Sequence, residues 1–231
     1  MEVTRADLLR RVPLFASLDA DALRHVMEDA RMRTAAAGAA FFREGEPATS
    51  FFVIETGSVK LTQVTPEGHQ IVLQLLGTAE AFGGVAAFGG ATYPVTAEAV
   101  TDVTVFEWPG AVMAGLMERY PRVAMNALRF VAARLHELQV RYRQLATEKV
   151  ERRIARALVR LVDQAGRRVD TGVLIDLPLT RDDLAQMTGT TLYTVSRVVS
   201  RWESEGILEA GRQRIVITQA HALMAVADDL A

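Results

Sequence analysis

The sequence predicts an α+β fold: an N-terminal antiparallel β-roll that is jelly-roll-like, one long dimerisation helix, and a C-terminal winged helix-turn-helix domain. Short runs of branched and aromatic residues, separated by glycine turns, occupy residues 41–108. Apolar residues then recur at spacings of four and three over residues 124–145. Two short helical patterns joined by a glycine turn occupy residues 180–205. We therefore expect domains over residues 1–120, 121–147 and 148–231.

The composition excludes several classes of protein. The 231 residues carry 26 Lys and Arg against 28 Asp and Glu, and no Cys. Indiscriminate coating of nucleic acid needs an excess of Lys and Arg, so any nucleic-acid site is expected to be local. The lack of Cys excludes thiolate-held iron–sulfur clusters, Cys-based zinc sites and thiol catalysis. No apolar run is long enough for a signal peptide or a membrane span, so we expect a soluble, cytoplasmic protein without a membrane partner.

Within the first 120 residues, the sequence pattern changes near Phe41 from helical to β. From Leu8 to about Met32, apolar residues lie among charges, which predicts short helices, one of them starting near Ser17 with acids in its first turn. The pattern typical of β-strands follows and ends near Trp108. Its clearest predicted strands are Phe51–Ile54, Val59–Val64, Ile71–Leu76 and Val103–Glu107.

Pro121 opens a long helix with a narrow apolar seam that begins at Ala124. The predicted dimer seam consists of Leu128, Val131, Leu135, Leu138, Tyr142 and Leu145. Alternate spacings of four and three are the a and d positions of a coiled coil. A helix packed only on its own domain tolerates a wider stripe, so the narrow seam favours a parallel homodimer.

The segment after residue 148 begins with a helix and ends in a two-helix motif. A helix is predicted through Ile154 and Leu161, then a polar loop over Gly166–Gly172 and a short strand over Val173–Leu177. Thr180–Gly189 starts with a capping-box-like Thr and Asp and ends on glycine. The next helix, Leu192–Glu205, is expected to bury Val195, Val198, Val199 and Trp202.

The outward residues of this motif suit DNA. The predicted contacts are Thr180, Thr190, Thr191, Tyr193, Ser196, Arg197, Arg201, Arg212 and Arg214. The Arg197 guanidinium can bond guanine O6 and N7, whereas the threonines at helix N-termini suit phosphates. Residues 211–217 are predicted to form a hairpin wing whose arginines contact the DNA backbone. An isolated arginine is more often a solvated surface charge, but clustering after a two-helix pattern favours DNA.

The order of these motifs resembles the CRP/FNR superfamily of bacterial transcription regulators over nearly the whole chain. The resemblance rests on Val12–Phe15, Gly45–Ala48, Ile54–Leu61, the long helix and the run Leu192–Arg197. It implies a dimeric regulator that acts on double-stranded DNA and RNA polymerase, with a hinge around Lys149. Members commonly read TTGA or TGTGA-type half-sites with a Glu, a Ser or Gly, and an Arg. Ser196 and Arg197 match that pattern, but Tyr193 stands where the Glu is expected, so the half-site stays open.

The resemblance also implies an effector pocket in the β-roll. The corresponding residues are Phe82, Gly83, Gly84, Val85, Ala86, Thr92, Tyr93, Leu138 and Gln139. Members that bind cyclic AMP hold its ribose with Gly-Glu and its phosphate with Arg-Ser, but Val85 replaces the Glu and residues 91–95 contain no Arg. Leu138 and Gln139 replace the polar pair that contacts adenine. We therefore do not expect cyclic AMP, and Gly83 and Gly84 serve either a close ligand or a tight turn.

No cofactor is specified by the sequence. Haem is conceivable, because Leu192–Arg197 is similar to the run in nitric-oxide-responsive members. Its imidazole candidates, His25, His69 and His136, are isolated among charged or polar neighbours, which favours a surface role. The histidines form no metal-spaced pair, so no metal site is predicted. A regulator controlled only by its abundance also stays open.

These observations support one function and leave one alternative. The favoured function is a sequence-specific transcription regulator that binds a palindromic site as a homodimer, with action as activator or repressor left open. The alternative is a ligand-binding β-roll signalling module whose helical tail docks a protein partner. It accommodates the acidic net charge but leaves the wing arginines and Arg197 without a purpose. No constellation of acid, base and nucleophile is present, so we do not expect an enzyme.

Overall fold

The computed structural model describes residues 5–84, 89 and 91–228. Two compact units divide the chain: the described residues within Met1–Gln63 and Leu75–Leu138, and those within Val64–Gln74 and Gln139–Ala231. The described helices are α1 (Arg5–Arg11), α2 (Ala20–Glu28), α3 (Gly110–Arg119), α4 (Pro121–Thr147), α5 (Val150–Ala165), α6 (Arg181–Thr188), α7 (Leu192–Ser204) and α8 (Ala220–Asp228). The described strands are β1 (Arg31–Ala35), β2 (Ala40–Phe42), β3 (Ser50–Thr56), β4 (Val59–Val64), β5 (Gln70–Leu76), β6 (Ala81–Phe82), β7 (Thr96–Ala99), β8 (Val103–Pro109), β9 (Gly166–Val169), β10 (Gly172–Ile175), β11 (Leu208–Gly211) and β12 (Arg214–Ile217).

The N-terminal strands form two four-stranded sheets. Their orders are β1-β8-β3-β6 and β2-β7-β4-β5. The pairs β1 with β8, β8 with β3, β3 with β6, β2 with β7 and β7 with β4 are all antiparallel. The antiparallel β-roll predicted from the sequence is therefore confirmed.

Aromatic side chains fill the β-roll. Phe15, Phe51 and Trp108 belong to one core cluster with α1, α2 and α3, and the Trp108 indole donates to the Val26 carbonyl at 2.7 Å. A second cluster joins residues of both sheets, among them Phe41, Phe42, Phe52 and Phe82, to Tyr93 of the segment before β7. Large buried rings supply much of the apolar area that stabilises a domain of this size.

The N-terminal region departs from the sequence prediction where α2 ends and β1 begins. α2 begins after Asp19, whose carboxylate accepts the Ala22 N–H at 2.8 Å, and it ends at Glu28. β1 starts at Arg31, so the helical prediction up to about Met32 was wrong beyond Glu28. β1 lies at the edge of its sheet with mostly exposed or half-exposed residues, and therefore lacks the apolar alternation that identifies a half-buried strand.

The long helix α4 runs from Pro121 to Thr147 and shows two distinct faces. Near its start, Val123, Asn126 and Ala127 are buried. The six residues predicted to form the dimer seam are all exposed, from 46% for Val131 to 75% for Tyr142. α3 precedes the helix and was not predicted.

The C-terminal unit contains α5 to α8 and a sheet of order β11-β12-β10-β9. α5 buries Ile154, Leu158 and Leu161, as its spacing predicts. The polar loop predicted over Gly166–Gly172 was wrong: β9 occupies most of it and pairs antiparallel with β10. β9 is an edge strand whose residues are exposed or half-exposed. Its sequence is therefore polar and resembles that of a loop. Among the helices of the described residues, none is both long and apolar enough to cross a membrane.

Candidate nucleic-acid interface

The first helix of the two-helix motif, α6, is fixed at both ends. At its start, the Thr180 Oγ1 accepts the Asp183 N–H at 3.0 Å, and the Asp183 carboxylate accepts the Thr180 N–H at 3.0 Å, which forms a capping box. The Thr180 hydroxyl also donates to this carboxylate. At its end, Gly189 adopts a φ of +60°, a left-handed conformation that glycine reaches without strain. Thr180 thus has a structural role besides the phosphate contact predicted for it.

The second helix, α7, divides cleanly into a buried and an exposed face. Val195, Val198, Val199 and Trp202 are buried, as predicted. On the opposite face, Tyr193 is 76% exposed, Arg197 and Arg201 are exposed and Ser196 is half-exposed. The apolar face anchors the helix, so the exposed face is presented rigidly and not on a loop.

Thr191 caps α7 and Thr190 lies just before it. The Thr191 Oγ1 accepts the Thr194 N–H at 3.2 Å and lies 3.0 Å from the Thr194 Oγ1. The Thr190 N–H donates to the Ala185 carbonyl at 3.1 Å, which continues the turn from α6. Both threonines therefore lie where the free N–H groups of a helix N-terminus favour phosphate oxygens.

The two arginines of α7 differ in their surroundings. Arg201 forms ion pairs with Glu151 and, at 3.7 Å, with Glu205. Within the described residues, Arg197 forms no ion pair. A cavity of about 430 Å³ lies beside them, lined by Val150, Glu151, Thr194, Arg197, Val198 and Arg201. Arg197 is thus the arginine of this helix that is free to bond a base. Arg201 could do so only if its ion pairs with Glu151 and Glu205 were broken.

The predicted wing is present as the β11–β12 hairpin. Gly211 pairs with Arg214 across a two-residue turn, Arg212-Gln213, in which Gln213 has a φ of +56°. Arg212 and Arg214 are exposed at this tip, and neither forms an ion pair within the part of the chain that the structure describes. The geometry is that of a short ribbon with two unpaired cations at its end, which suits contacts to a phosphate backbone.

Arg153 is a residue that the sequence did not identify. Its Nε donates to the Thr188 carbonyl at 3.0 Å, its Nη2 to the Gly189 carbonyl at 3.3 Å and its Nη1 to the Glu148 carbonyl at 2.9 Å. One guanidinium on α5 thus satisfies carbonyls at the end of α6. Its positive charge also interacts favourably with the negative end of that helix dipole. No local signal could reveal this, because the partners are distant in sequence and Arg153 lies in a charged run.

Glu203 connects α7 to both of its neighbours. Its carboxylate accepts the Arg181 guanidinium of α6 at 3.1 Å and the Ala210 N–H of β11 at 3.1 Å. The helix pair and the wing are thereby held to one another through a side chain on the half of α7 away from its N-terminus. The exposed residues of α6, α7 and the hairpin therefore belong to one connected surface.

The predicted effector residues have different environments. Phe82 is buried and stacks on Phe52 with ring centroids 4.8 Å apart, and Tyr93 is buried and stacks on Phe42 at 3.6 Å. The Tyr93 hydroxyl donates to the Ser50 carbonyl at 2.8 Å. A Cβ on Gly83, which has a φ of +74°, would lie 2.6 Å from the same carbonyl. Three predicted residues thus meet around the start of β3, and the close approach explains Gly83 without a ligand.

The remaining predicted effector residues differ in exposure, and two of them lie outside the described residues. Gly84 is half-buried, and Thr92, Leu138 and Gln139 are exposed, the last two on α4. Val85 and Ala86 lie outside the described residues.

No metal centre forms among the histidines and acids that the structure describes. The His25 Nδ1 lies 3.0 Å from the Tyr120 hydroxyl and is partly buried. His69 and His136 are exposed, as their polar neighbours predict.

Comparison with known proteins agrees with both halves of this architecture. The model of the cyclic nucleotide-binding domain matches residues 32–120, and that of the Crp-like helix-turn-helix domain matches residues 152–226. The "CRP-like cAMP-activated global transcriptional regulator" of Mycobacterium tuberculosis is 22% identical over 94% of this chain and 97% of its own length. The "Cyclic AMP receptor protein" of Thermus thermophilus is 27% identical over 95% of this chain and 98% of its own. The structure of FixK2 from Bradyrhizobium japonicum superposes with a TM-score of 0.77 at 23% identity, covering 85% of this chain and 96% of that one, which shows a shared fold.

The helix-turn-helix match also decides between the two functions that the sequence left open. It covers α6, α7 and the wing, which the protein-docking alternative left without a purpose. The relatives are transcription regulators and not enzymes, as expected from the absence of a catalytic constellation. The chain is a DNA-binding transcription regulator that belongs to the CRP/FNR family.

Proposed function

We propose that this regulator acts as a homodimer that presents two copies of α7 to a palindromic DNA site. The observation that carries the proposal is the seam of α4, in which six large apolar side chains are between 46% and 75% exposed. A contiguous apolar stripe of this kind marks an interaction surface. Its coiled-coil spacing makes the same stripe on a second copy the matching partner.

The residues that flank the seam favour close approach of two helices. With Leu128, Leu135 and Tyr142 at a positions, the e positions hold uncharged or small residues: Met125, Ala132, Gln139 and Ala146. Arg134, at a g position, is paired with Glu137 of its own helix at 2.9 Å. Arg141, at the next g position, donates from Nη1 to the Leu73 carbonyl at 2.6 Å. The e positions, which face the g positions of a second copy, carry no charge, so neither arginine would meet a like charge there and these positions do not oppose self-association.

Two-fold symmetry of the dimer then sets the form of the DNA site. Recognition helices related by a two-fold axis read half-sites about one helical turn apart, so the site is a palindrome. Arg197 would read a guanine, with Tyr193 and Ser196 at neighbouring base edges. Thr180, Thr190, Thr191, Arg201, Arg212 and Arg214 would contact phosphates. In this proposal residues 1–120 serve sensing, residues 121–147 dimerisation and residues 148–231 DNA binding. RNA polymerase would be a further partner, and the protein would act in the cytoplasm.

We also propose that any effector of this chain is not cyclic AMP, although the names of two relatives refer to that nucleotide. A buried phosphodiester needs a cationic partner, and residues 91–95 offer none. Titration calorimetry with cyclic AMP should show no binding and no change in DNA affinity. An absorption spectrum and mass analysis of the purified protein test for haem or a retained ligand, and a haem band would replace this proposal with a haem sensor.

One pair of measurements tests dimer and site together. Light scattering should give twice the 25.3 kDa of one chain. Selection from randomised duplexes should enrich a palindrome whose half-sites carry a guanine, with binding that weakens steeply as salt rises. A monomer at concentrations that saturate DNA would contradict the dimer. Failure to enrich any sequence would contradict specific binding and favour a protein partner for the winged unit.

A further inference from the structure

The recognition helix begins with two exposed apolar side chains. Leu192, its first residue, is 49% exposed, and Tyr193, its second, is 76% exposed. Large apolar residues elsewhere on this helix are buried. The other apolar residues of this helix form its core face. Packing therefore does not explain why a leucine and a tyrosine are exposed side by side at its start.

Their position is fixed by the helix cap. The Thr191 Oγ1 holds the Thr194 N–H at 3.2 Å, so the first turn of α7 is ordered and its side chains have set directions. In helix-turn-helix proteins the N-terminal residues of the second helix contact base edges in the major groove. Leu192 and Tyr193 are therefore placed to meet base pairs and not phosphates.

The chemistry of this turn excludes recognition of cytosine by a carboxylate. The first turn of α7 contains no acidic residue. The two carboxylates farther along are already engaged, Glu203 with Arg181 and the Ala210 N–H, and Glu205 with Arg201. The base edge that an apolar side chain distinguishes in the major groove is that of thymine, through its 5-methyl group.

We propose that Leu192 and Tyr193 read thymine methyl groups beside the guanine that Arg197 bonds. The inference rests on the proposed palindromic DNA site and specifies what each half-site contains. Tyr193 and Arg197 are four residues apart, and hence on one face of the helix at a rise of roughly 6 Å. Base pairs are stacked about 3.4 Å apart. The two side chains therefore reach base pairs that are adjacent or separated by one.

The first test removes the methyl group alone. In the selected palindrome, each thymine near the guanine is replaced by uracil, which keeps every hydrogen-bonding group of the base. Loss of one buried methyl contact should weaken binding of the wild-type chain about fourfold. The Leu192→Ala and Tyr193→Ala variants should each lose this sensitivity at one thymine. Met224→Ala is the matched control, because Met224 is 50% exposed on α8 of the same unit and should retain full sensitivity.

The second test exchanges the chemistry of the tyrosine. A glutamate carboxylate accepts a hydrogen bond from the cytosine amino group, so Tyr193→Glu should change the preferred pair at its position from T·A to C·G. Replacing that thymine by 5-methylcytosine, which keeps the methyl group, should preserve part of the wild-type affinity. These results measure base preference, which a merely structural effect of the substitutions would not change.

The outcomes separate this inference from the function on which it rests. A palindrome with an Arg197-dependent guanine, combined with equal affinity for thymine and uracil sites, would leave DNA recognition intact and overturn methyl reading. Enrichment of C·G at the position of Tyr193 in the wild-type selection would overturn it as well. If no palindrome were enriched at all, the failure would lie with the proposed dimeric site.

Discussion

Helices α4 and α7 each bury one face and expose the other, but the exposed faces differ in their charged groups. α4 exposes a stripe of leucines, with Val131 and Tyr142. α7 exposes Leu192 and Tyr193 in its first turn, and beyond them Ser196, an arginine without an ion pair and a second arginine bound to carboxylates. An apolar stripe is stabilised by another apolar surface, whereas an unpaired guanidinium is stabilised by an anion or a base edge. The proposed partners of the two helices differ accordingly: a second copy of the chain for α4 and DNA for α7.

The largest effect should come from charging the apolar face. Leu135→Glu places a carboxylate in the middle of the seam, where a dimer would bury it without a partner, so the protein should become monomeric. Affinity for the palindrome should then fall by about 10²–10⁴, because two linked half-sites become independent. Light scattering and band shifts measure both. His136→Glu is the control, because His136 is exposed beside the seam and should tolerate the same charge; a dimeric Leu135→Glu protein would refute the seam.

The second effect concerns the unpaired cation of α7. Arg197→Ala should cost about 1–3 kcal/mol of discrimination at one guanine, while the melting temperature stays unchanged. Arg197→Lys keeps the charge but not the bidentate geometry, and should restore affinity more than selectivity. Competition binding with duplexes in which adenine, cytosine or thymine replaces the guanine separates the loss of affinity from the loss of selectivity. An alanine variant as selective as the wild type would contradict base reading by Arg197.

A smaller effect should follow from removing the guanidinium that bonds the end of α6. Arg153→Met removes the guanidinium from three carbonyls and should lower the free energy of unfolding by about 1–2 kcal/mol. Denaturant unfolding measures this, with Arg168→Met, an exposed arginine of β9, as the control. Equal stability of the two variants would show that the carbonyls are satisfied equally well by water.

The smallest effect is expected at the wing. Arg212→Gln and Arg214→Gln should each reduce the slope of log affinity against log salt by about 1, without changing which sequence is preferred. Such a uniform loss would distinguish the wing from α7, whose substitution changes preference. A change of preferred sequence would instead assign the wing arginine to a base.

The sequence was informative wherever local chemistry determines structure. The capping pair Thr180 and Asp183, the terminating Gly189 and the buried valines of α7 are all adjacent in sequence to what they stabilise. β1 and β9 were missed because edge strands face water and lose the apolar alternation of half-buried strands. Arg153 was missed because two of its three partners are backbone carbonyls at the end of a distant helix, and every residue type has the same backbone carbonyl. The whole effector pocket remains a prediction, and its residues Val85 and Ala86 lie outside the described residues.

The contact of Gly189 with α4 constrains how this protein could be altered. A Cβ at position 189 would lie 3.1 Å from the Cδ2 of Leu145, the last residue of the seam, and would occupy a left-handed backbone. A designer who wished to exchange the helix-turn-helix motif for one with another specificity could not treat it as a detachable part. The turn and the final residue of the predicted seam would have to be chosen together, because the DNA-binding motif and the proposed dimer surface approach each other at this point.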